Sequence, residues 1–208
     1  MSLFITFEGP DGSGKTTQAK RLADVLRERG CDVLAVREPG GTSIGEQIRE
    51  VLHALANQEM LPQAEILLYC ASRAQLVGQV IRPRLQSGGV VICDRYADST
   101  LAYQGYGRGL DRPTLRTILD FATGGLRPDL TFYLDIDAEE GLRRRKASGG
   151  EWNRMDDLAV EFHRRVRAGY REMAAQEPAR WVVMDGAREA ETIAEEIREM
   201  VERRLYDT

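Results

Sequence analysis

A chain of 208 residues that is 42% hydrophobic, 30% charged and 7% aromatic has the make-up of one ordinary globular domain, which excludes collagen-like, coiled-coil and largely disordered architectures. Its 29 basic and 33 acidic residues leave a net charge of −4, so any anion site must be local and nucleic acid is not expected as a partner. No apolar stretch approaches membrane-spanning length, and Met1 to Glu8 carries no basic segment ahead of its apolar run, so a cytoplasmic protein with no membrane partner is expected.

Short apolar runs alternate with longer segments of helical period. The first run, Leu3 to Phe7, reads as a strand and is followed by a glycine-rich turn. Ala19, Leu22, Ala23 and Leu26 then keep a 3.6-residue spacing, as a helix that Gly30 can close. Asp32 to Val36 and Val90 to Cys93 read as the second and third strands. Asp111 followed by Pro113 opens another helix, and Leu130 to Ile136 is a fourth strand. Asp137 with Glu140 reads as a capping box for the helix that follows it. Trp181 to Met184 is the fifth strand, before a last helix whose Ile193, Ile197, Met200, Val201 and Leu205 share one face.

Strands so nearly continuous in apolar residues are those buried on both faces of a parallel sheet. The order therefore predicts a three-layer α/β fold, with no repeat or linker to divide residues 1–208 into more than one domain. Cys31, Cys70 and Cys93 are an odd set without disulfide or zinc spacing and read as reduced core residues.

The turn after the first strand is Gly9-Pro10-Asp11-Gly12-Ser13-Gly14-Lys15-Thr16, which with Thr17 beginning a helix matches G-x-x-x-x-G-K-[ST] in its required context. Glycines allow successive backbone N–H groups to curl around phosphate oxygens, and the helix N-terminus adds partial positive charge at the same point. Lys15 is expected to reach the β and γ phosphates of ATP and Thr16 to place its hydroxyl on Mg²⁺, a cofactor that takes few protein ligands. At the C-terminal end of the third strand, Asp94 has the type and position of a magnesium-holding carboxylate, and Arg95 can fork onto a second phosphate.

Two other nucleotide- or polyanion-binding classes fit less well. A GTPase switch reads guanine with Asn-Lys-x-Asp, yet neither Asn57 nor Asn153 is followed by lysine. A nucleic-acid module is suggested only by Arg143-Arg-Arg-Lys146, which is equally a solvated helix end. Phosphoryl transfer spreads negative charge that a lysine and magnesium rarely neutralise alone, and the phosphate loop contains no arginine. Arg143 to Arg154, interrupted at Gly149-Gly150, therefore reads as a short basic lid, about residues 143–157, able to fold over ATP.

Phe7-Glu8-Gly9 with the phosphate loop, Arg37-Glu-Pro-Gly-Gly-Thr42, Tyr69-Cys-Ala-Ser-Arg73, Asp94-Arg-Tyr96, Ser99-Thr-Leu-Ala-Tyr-Gln-Gly105 and Pro128-Asp-Leu-Thr-Phe-Tyr-Leu-Asp135 together resemble the bacterial thymidylate kinase family of P-loop nucleoside monophosphate kinases. These motifs run through most of the chain. The resemblance implies a five-stranded parallel sheet, a homodimer, and phosphorylation of dTMP to dTDP by ATP and magnesium. It implies that Asp11 approaches the 3′-hydroxyl of the acceptor sugar, and that Arg37, Glu38, Pro39 and Arg49 lie near the acceptor phosphate. Tyr69 matches the ring that stacks on thymine, Arg73 the donor to its O4, and Gln104 a further base contact. Tyr103 matches the ring near the sugar 2′ position, with Ser99 lining the same pocket. Tyr69 and Arg73, four apart, share one helix face, although a lone tyrosine there also reads as a core aromatic.

The lid departs from the family pattern, with Ser148 where an arginine is more common. Which of Arg143, Arg144, Arg145 and Lys146 meets ATP stays open, and Arg144 is carried as the nucleotide contact. Arg154 in Asn-Arg-Met-Asp156 matches best and is expected to supply catalytic charge with Lys15, Asp94 and Arg95. The acceptor is a phosphate monoester already largely dianionic at neutral pH, so no general base is required and neither His53 nor His163 is needed. In the alternative, a deoxynucleoside kinase, Glu38 would have to act as base.

Overall fold

A computed structural model describes residues 2–149 and 152–206. Strand β1 (Leu3–Glu8) leads through the phosphate loop into α1 (Lys15–Glu28), then β2 (Val33–Arg37) and α2 (Ser43–His53). Helix α3 (Pro62–Leu76) passes through a π-helical segment, Val77–Ile81, into α4 (Arg82–Gln86) and β3 (Val90–Asp94). A short α5 (Ala97–Thr100) continues as a second π-helical segment, Leu101–Gly107, before α6 (Arg112–Thr123) and β4 (Leu130–Asp135). The chain then forms α7 (Ala138–Ala147), α8 (Val160–Gln176), β5 (Trp181–Asp185) and α9 (Ala190–Tyr206). The five strands form one parallel sheet in the order β2-β3-β1-β4-β5.

The predicted strands all form, within a residue or two at their ends. Burial on both faces holds fully for the inner strands β1 and β4, whereas β2 and β5 lie at the edges and alternate in exposure. On one face, Ala19, Leu22, Ala23 and Leu26 of α1 and Ile193, Ile197 and Val201 of α9 pack on Ile5, Phe7 and Phe132. On the other, α3, α6 and α8 contribute Ile66, Leu115, Leu119, Val166 and Tyr170 around Tyr133 and Trp181. Cys70 and Cys93 are buried as expected, while Cys31 is only half-buried, its thiol 3.3 Å from the Tyr206 hydroxyl.

Helix boundaries follow local chemistry. Asp111 caps α6 by accepting from the Thr114 N–H at 2.9 Å. Asp137 caps α7 through the Glu139 N–H at 3.1 Å, but the reciprocal half of the expected box is missing: Glu140 turns outward to Arg143 and Arg144, whose guanidinium groups bind it at 2.7 Å each.

Parallel pairing places the C-terminal ends of β1, β2, β3 and β4 at one edge of the sheet, where ligands of such folds sit. Phe7, for example, stands opposite both Asp94 and Phe132, so the phosphate loop emerges between the Asp94-Arg95 segment and the turn into α7. The last contact is very close. A Cβ on Gly12, whose φ is +76°, would fall 2.0 Å from the Gly141 carbonyl oxygen, and one on Gly141 would fall 2.6 Å from that of Asp11. Two glycines thus let the basic helix α7 lie backbone-to-backbone against the phosphate loop.

Candidate active site

A cavity of about 540 Å³ opens at this edge. Every predicted site residue lines it except Gly9, Pro10, Ser13 and Arg154, and it also takes in His53, Thr100, Arg145, Ser148, Asn153 and Met155. Gly9, Pro10 and Ser13 sit behind its wall. The Gly9 carbonyl accepts from Arg95 at 3.1 Å, and the Pro10 carbonyl and Ser13 hydroxyl accept from Lys15 Nζ at 2.7 and 3.4 Å.

At the phosphate end, Lys15 starts α1 and is 5% exposed. Burial brings its ammonium down to about 8, helped by Arg95 and partly offset by Asp11, Asp94 and Glu8. The Thr16 hydroxyl donates to the Asp94 carboxylate. Two hard oxygen donors, contributed by separate elements and facing the phosphate loop, suit a Mg²⁺ that takes its remaining ligands from phosphate and water. Among the described residues no cluster of three or more His, Cys, Asp or Glu groups forms a protein-only metal cage.

In the middle of the cavity, Asp11 and Arg95 meet at 2.6 Å, and Tyr103 donates to the other oxygen of Asp11 at 2.7 Å. Burial alone would raise the Asp11 carboxyl, but Arg95, Lys15 and the Tyr103 hydrogen bond hold it far below the usual carboxylate range. Arg95 has a φ of +70°, an uncommon conformation for a residue with a side chain, and its guanidinium lies 4.9 Å over the Tyr103 ring while also donating to Ser99 at 3.2 Å. Glu8 is buried behind it, accepting from the Tyr96 N–H at 2.8 Å, from Ser99 at 2.6 Å and from Tyr170 at 2.8 Å. Burial and the neighbouring Asp98 push its carboxyl up to about 7, against the pull of Ser99, Arg95 and Tyr170. Arg37 and Arg49 complete the positive lining, both donating to the Pro39 carbonyl, at 2.8 and 3.0 Å.

At the far end, half-buried Tyr69 and buried Arg73 line the wall from α3, and Gln104 from the π-helical turn after α5. Arg73 donates three hydrogen bonds to the protein, from Nε to Glu38, from Nη2 to the Tyr96 carbonyl and from Nη1 to Thr100, and its Nη2 also lies 2.6 Å from the Glu38 carboxylate as an ion pair. One N–H of Nη1 is left for a ligand. Glu38 was expected beside the acceptor phosphate, yet its carboxylate is turned into this pair, with Oε2 taken by Arg73 and Oε1 buried without a partner. A guanidinium that is 1% exposed demands a counter-charge, and Glu38 is the one within reach.

The described residues of the expected lid are tied to protein groups. Arg143 to Lys146 are the last turns of helix α7, with Arg144 bound to Glu140 and to the Gly186 carbonyl at 2.8 Å, and Arg145 paired with Asp156 at 3.2 Å. Gly150 and Glu151 lie outside the described residues. Arg154 does not face the phosphate end: it is 3% exposed, donates to the Leu52 carbonyl at 3.3 Å and is paired with the buried Glu65. Only burial against a carboxylate that Arg108 also pairs with separates this arginine from a surface lid residue, and the local sequence carries no sign of it.

Glu65 is what the sequence reading missed. The signal was present, since Glu65, Tyr69 and Arg73 recur every four residues on one face of a helix otherwise rich in apolar residues.

Comparison with known proteins agrees with this geometry. The family model described as "Thymidylate kinase" matches residues 7–197. The chain belongs to the thymidylate kinase family. It is 55% identical to the thymidylate kinase of Roseiflexus sp. (strain RS-1), covering 97% of this chain and 94% of that one, and 52% identical to that of Thermomicrobium roseum, covering 95% and 93%. Among solved structures it matches the thymidylate kinase from Ehrlichia chaffeensis with a TM-score of 0.79 and 35% identity, over 96% of this chain and 98% of that one. Within this thymidylate kinase family member, the phosphate loop, the Asp94-Arg95 edge and the α3 face are brought to one cavity by the parallel sheet.

Proposed function

We propose that this chain transfers the γ-phosphoryl group of ATP to dTMP, giving ADP and dTDP, with Mg²⁺ held by Thr16 and Asp94. The observation that carries this reading is the continuity of one cavity from Lys15 and Thr16, past Asp11 and Arg95, to Tyr69, Arg73 and Gln104. Triphosphate at one end and a pyrimidine nucleotide at the other then meet phosphate to phosphate.

The residues divide the work by charge. Lys15 and the loop N–H groups take the donor phosphates, while Arg95, Arg37 and Arg49 neutralise the acceptor phosphate and hold two anions in line against their repulsion. Magnesium, when bound, screens the donor oxygens. An acceptor oxygen forms the new bond to the γ-phosphorus as the bond to the β-phosphate oxygen breaks, and ADP leaves. The acceptor is already largely a dianion, so no residue need remove a proton. Arg144, which lines the cavity from the helix packed against the loop, is assigned to ATP in this reading. The Asp11 carboxylate and the Tyr103 ring bracket the sugar.

Residues 1–208 act as one domain in this reading, with 143–157 as a segment beside the nucleotide. A homodimer is supported by helices α2 and α3, which carry exposed Ile44, Val51 and Leu67, with Leu61 exposed just ahead of α3. A cytoplasmic setting is supported by three free cysteines, and no helix among the described residues is long and apolar enough to cross a membrane.

A coupled assay tests the reading with dTMP and thymidine as competing acceptors. ADP release with dTMP and none with thymidine is expected. Preference for thymidine would instead make the acceptor a hydroxyl and call for a base, a role for which Glu38 is poorly free because Arg73 holds it.

A further inference from the structure

Glu65 is fully buried on α3 and receives four hydrogen bonds. Its Oε1 accepts from Gln104 Nε2 and from Arg108 Nε, both at 2.8 Å, and its Oε2 accepts from Arg108 Nη2 at 2.8 Å and from Arg154 Nη2. Gln104 is itself 2% exposed and lines the cavity beside Tyr69 and Arg73. A carboxylate only accepts, so the amide nitrogen of Gln104 must face Glu65 and the amide oxygen must face away.

We propose that Glu65 is a positioning residue that sets the choice of pyrimidine by fixing the Gln104 amide with its oxygen toward the base. That orientation suits a base that donates at N3, as thymine and uracil do, and opposes cytosine, which accepts there. The inference rests on the reading of Gln104 as a base contact. The remaining N–H of Arg73 is matched to an acceptor at O4, where cytosine carries an amino group, so two neighbouring residues impose the same pattern.

The arrangement holds only while Glu65 is ionised, because a protonated carboxyl could donate and let Gln104 turn over. Burial favours the protonated form, but Arg108, Gln104 and Arg154 outweigh it and keep the carboxyl below the usual range. Two arginines around one carboxylate thus do more than fill space: they keep an acceptor-only group against the amide.

The Glu65→Gln variant separates this role from a structural one. Its carbonyl would be drawn to the two arginines, leaving its NH₂ against Gln104, which then presents its own NH₂ to the base. The ratio of kcat/KM for dTMP over dCMP is expected to fall roughly tenfold or more, with the absolute value for dCMP rising. A general loss of structure lowers both substrates together, so an unchanged ratio in folded Glu65→Gln overturns the inference. If that variant does not fold, the wild-type protein still decides. The Gln104 side-chain amide, assigned in ¹⁵N spectra by its disappearance in Gln104→Leu, is expected to exchange slowly with solvent before any nucleotide is added, and fast exchange overturns the inference. Gln104→Leu also tests the underlying reading. If its ratio falls while that of Glu65→Gln does not, Gln104 touches the base and only the role of Glu65 fails; if its ratio is unchanged, Gln104 is not a base contact and both fail.

Discussion

Asp11 and Arg95, 84 positions apart in the chain, meet at 2.6 Å in the middle of the cavity. The carboxylate holds the guanidinium in place before an acceptor arrives, and Tyr103 holds the carboxylate. Each member of the trio is therefore oriented by the other two, which fixes the Arg95 guanidinium in the cavity without a ligand.

Replacing Asp11 by Asn keeps the size of the side chain and removes the charge that orients Arg95. A hydrogen bond to a charged group is worth about 1.5–3 kcal/mol, so kcat/KM for dTMP is expected to drop roughly ten- to a hundredfold. Thermal unfolding should show a folded variant. Steady-state kinetics at wild-type level in Asp11→Asn would mean that Arg95 needs no such partner.

Arg154→Ala is expected to act on stability and on the base end of the cavity rather than on the chemical step. The change strips one of two arginines from the buried Glu65, and breaking a buried ion pair typically costs about 3–5 kcal/mol. Urea unfolding should register that loss, and KM for dTMP should rise by a larger factor than kcat falls, because Glu65 also holds Gln104. A variant of wild-type stability whose single-turnover rate alone collapses would return Arg154 to the phosphate.

Lys15 gives a prediction in pH. Its folded value of about 8 lies below the ordinary 10.5, so between those limits the unfolded chain holds a proton that the folded chain lacks, and this group's contribution to stability rises with pH across that window; below about 8 the cost of burying the charge is fully present. A triphosphate next to Nζ favours the ammonium. ATP binding at about pH 8.5 should therefore take up protons, and at about pH 7 hardly any. Calorimetry in two buffers of different ionisation enthalpy reads this directly, and equal heats at the higher pH would contradict it.

The sheet and the phosphate loop were legible because their information is local. An apolar run is buried wherever the chain takes it, and Gly9 to Thr16 carries its fold in consecutive residues. The same holds for Tyr69 and Arg73, whose common face follows from helical period. The Asp137 cap shows the limit even at short range, since Glu140 had both an N–H and two arginines to choose from, and the charges won.

What the sequence by itself determined is the order of strands and helices, the phosphate-binding turn, and the residue types gathered at the C-terminal edge of the sheet. Only the tertiary structure decided which charge meets which. Glu38 pairs with Arg73, and Arg154 pairs with Glu65, 89 residues away. The physical reason is that an arginine has no preferred partner until burial removes water as the competing one. Which carboxylate it then needs depends on what folding has placed beside it, and no local pattern of residues records that.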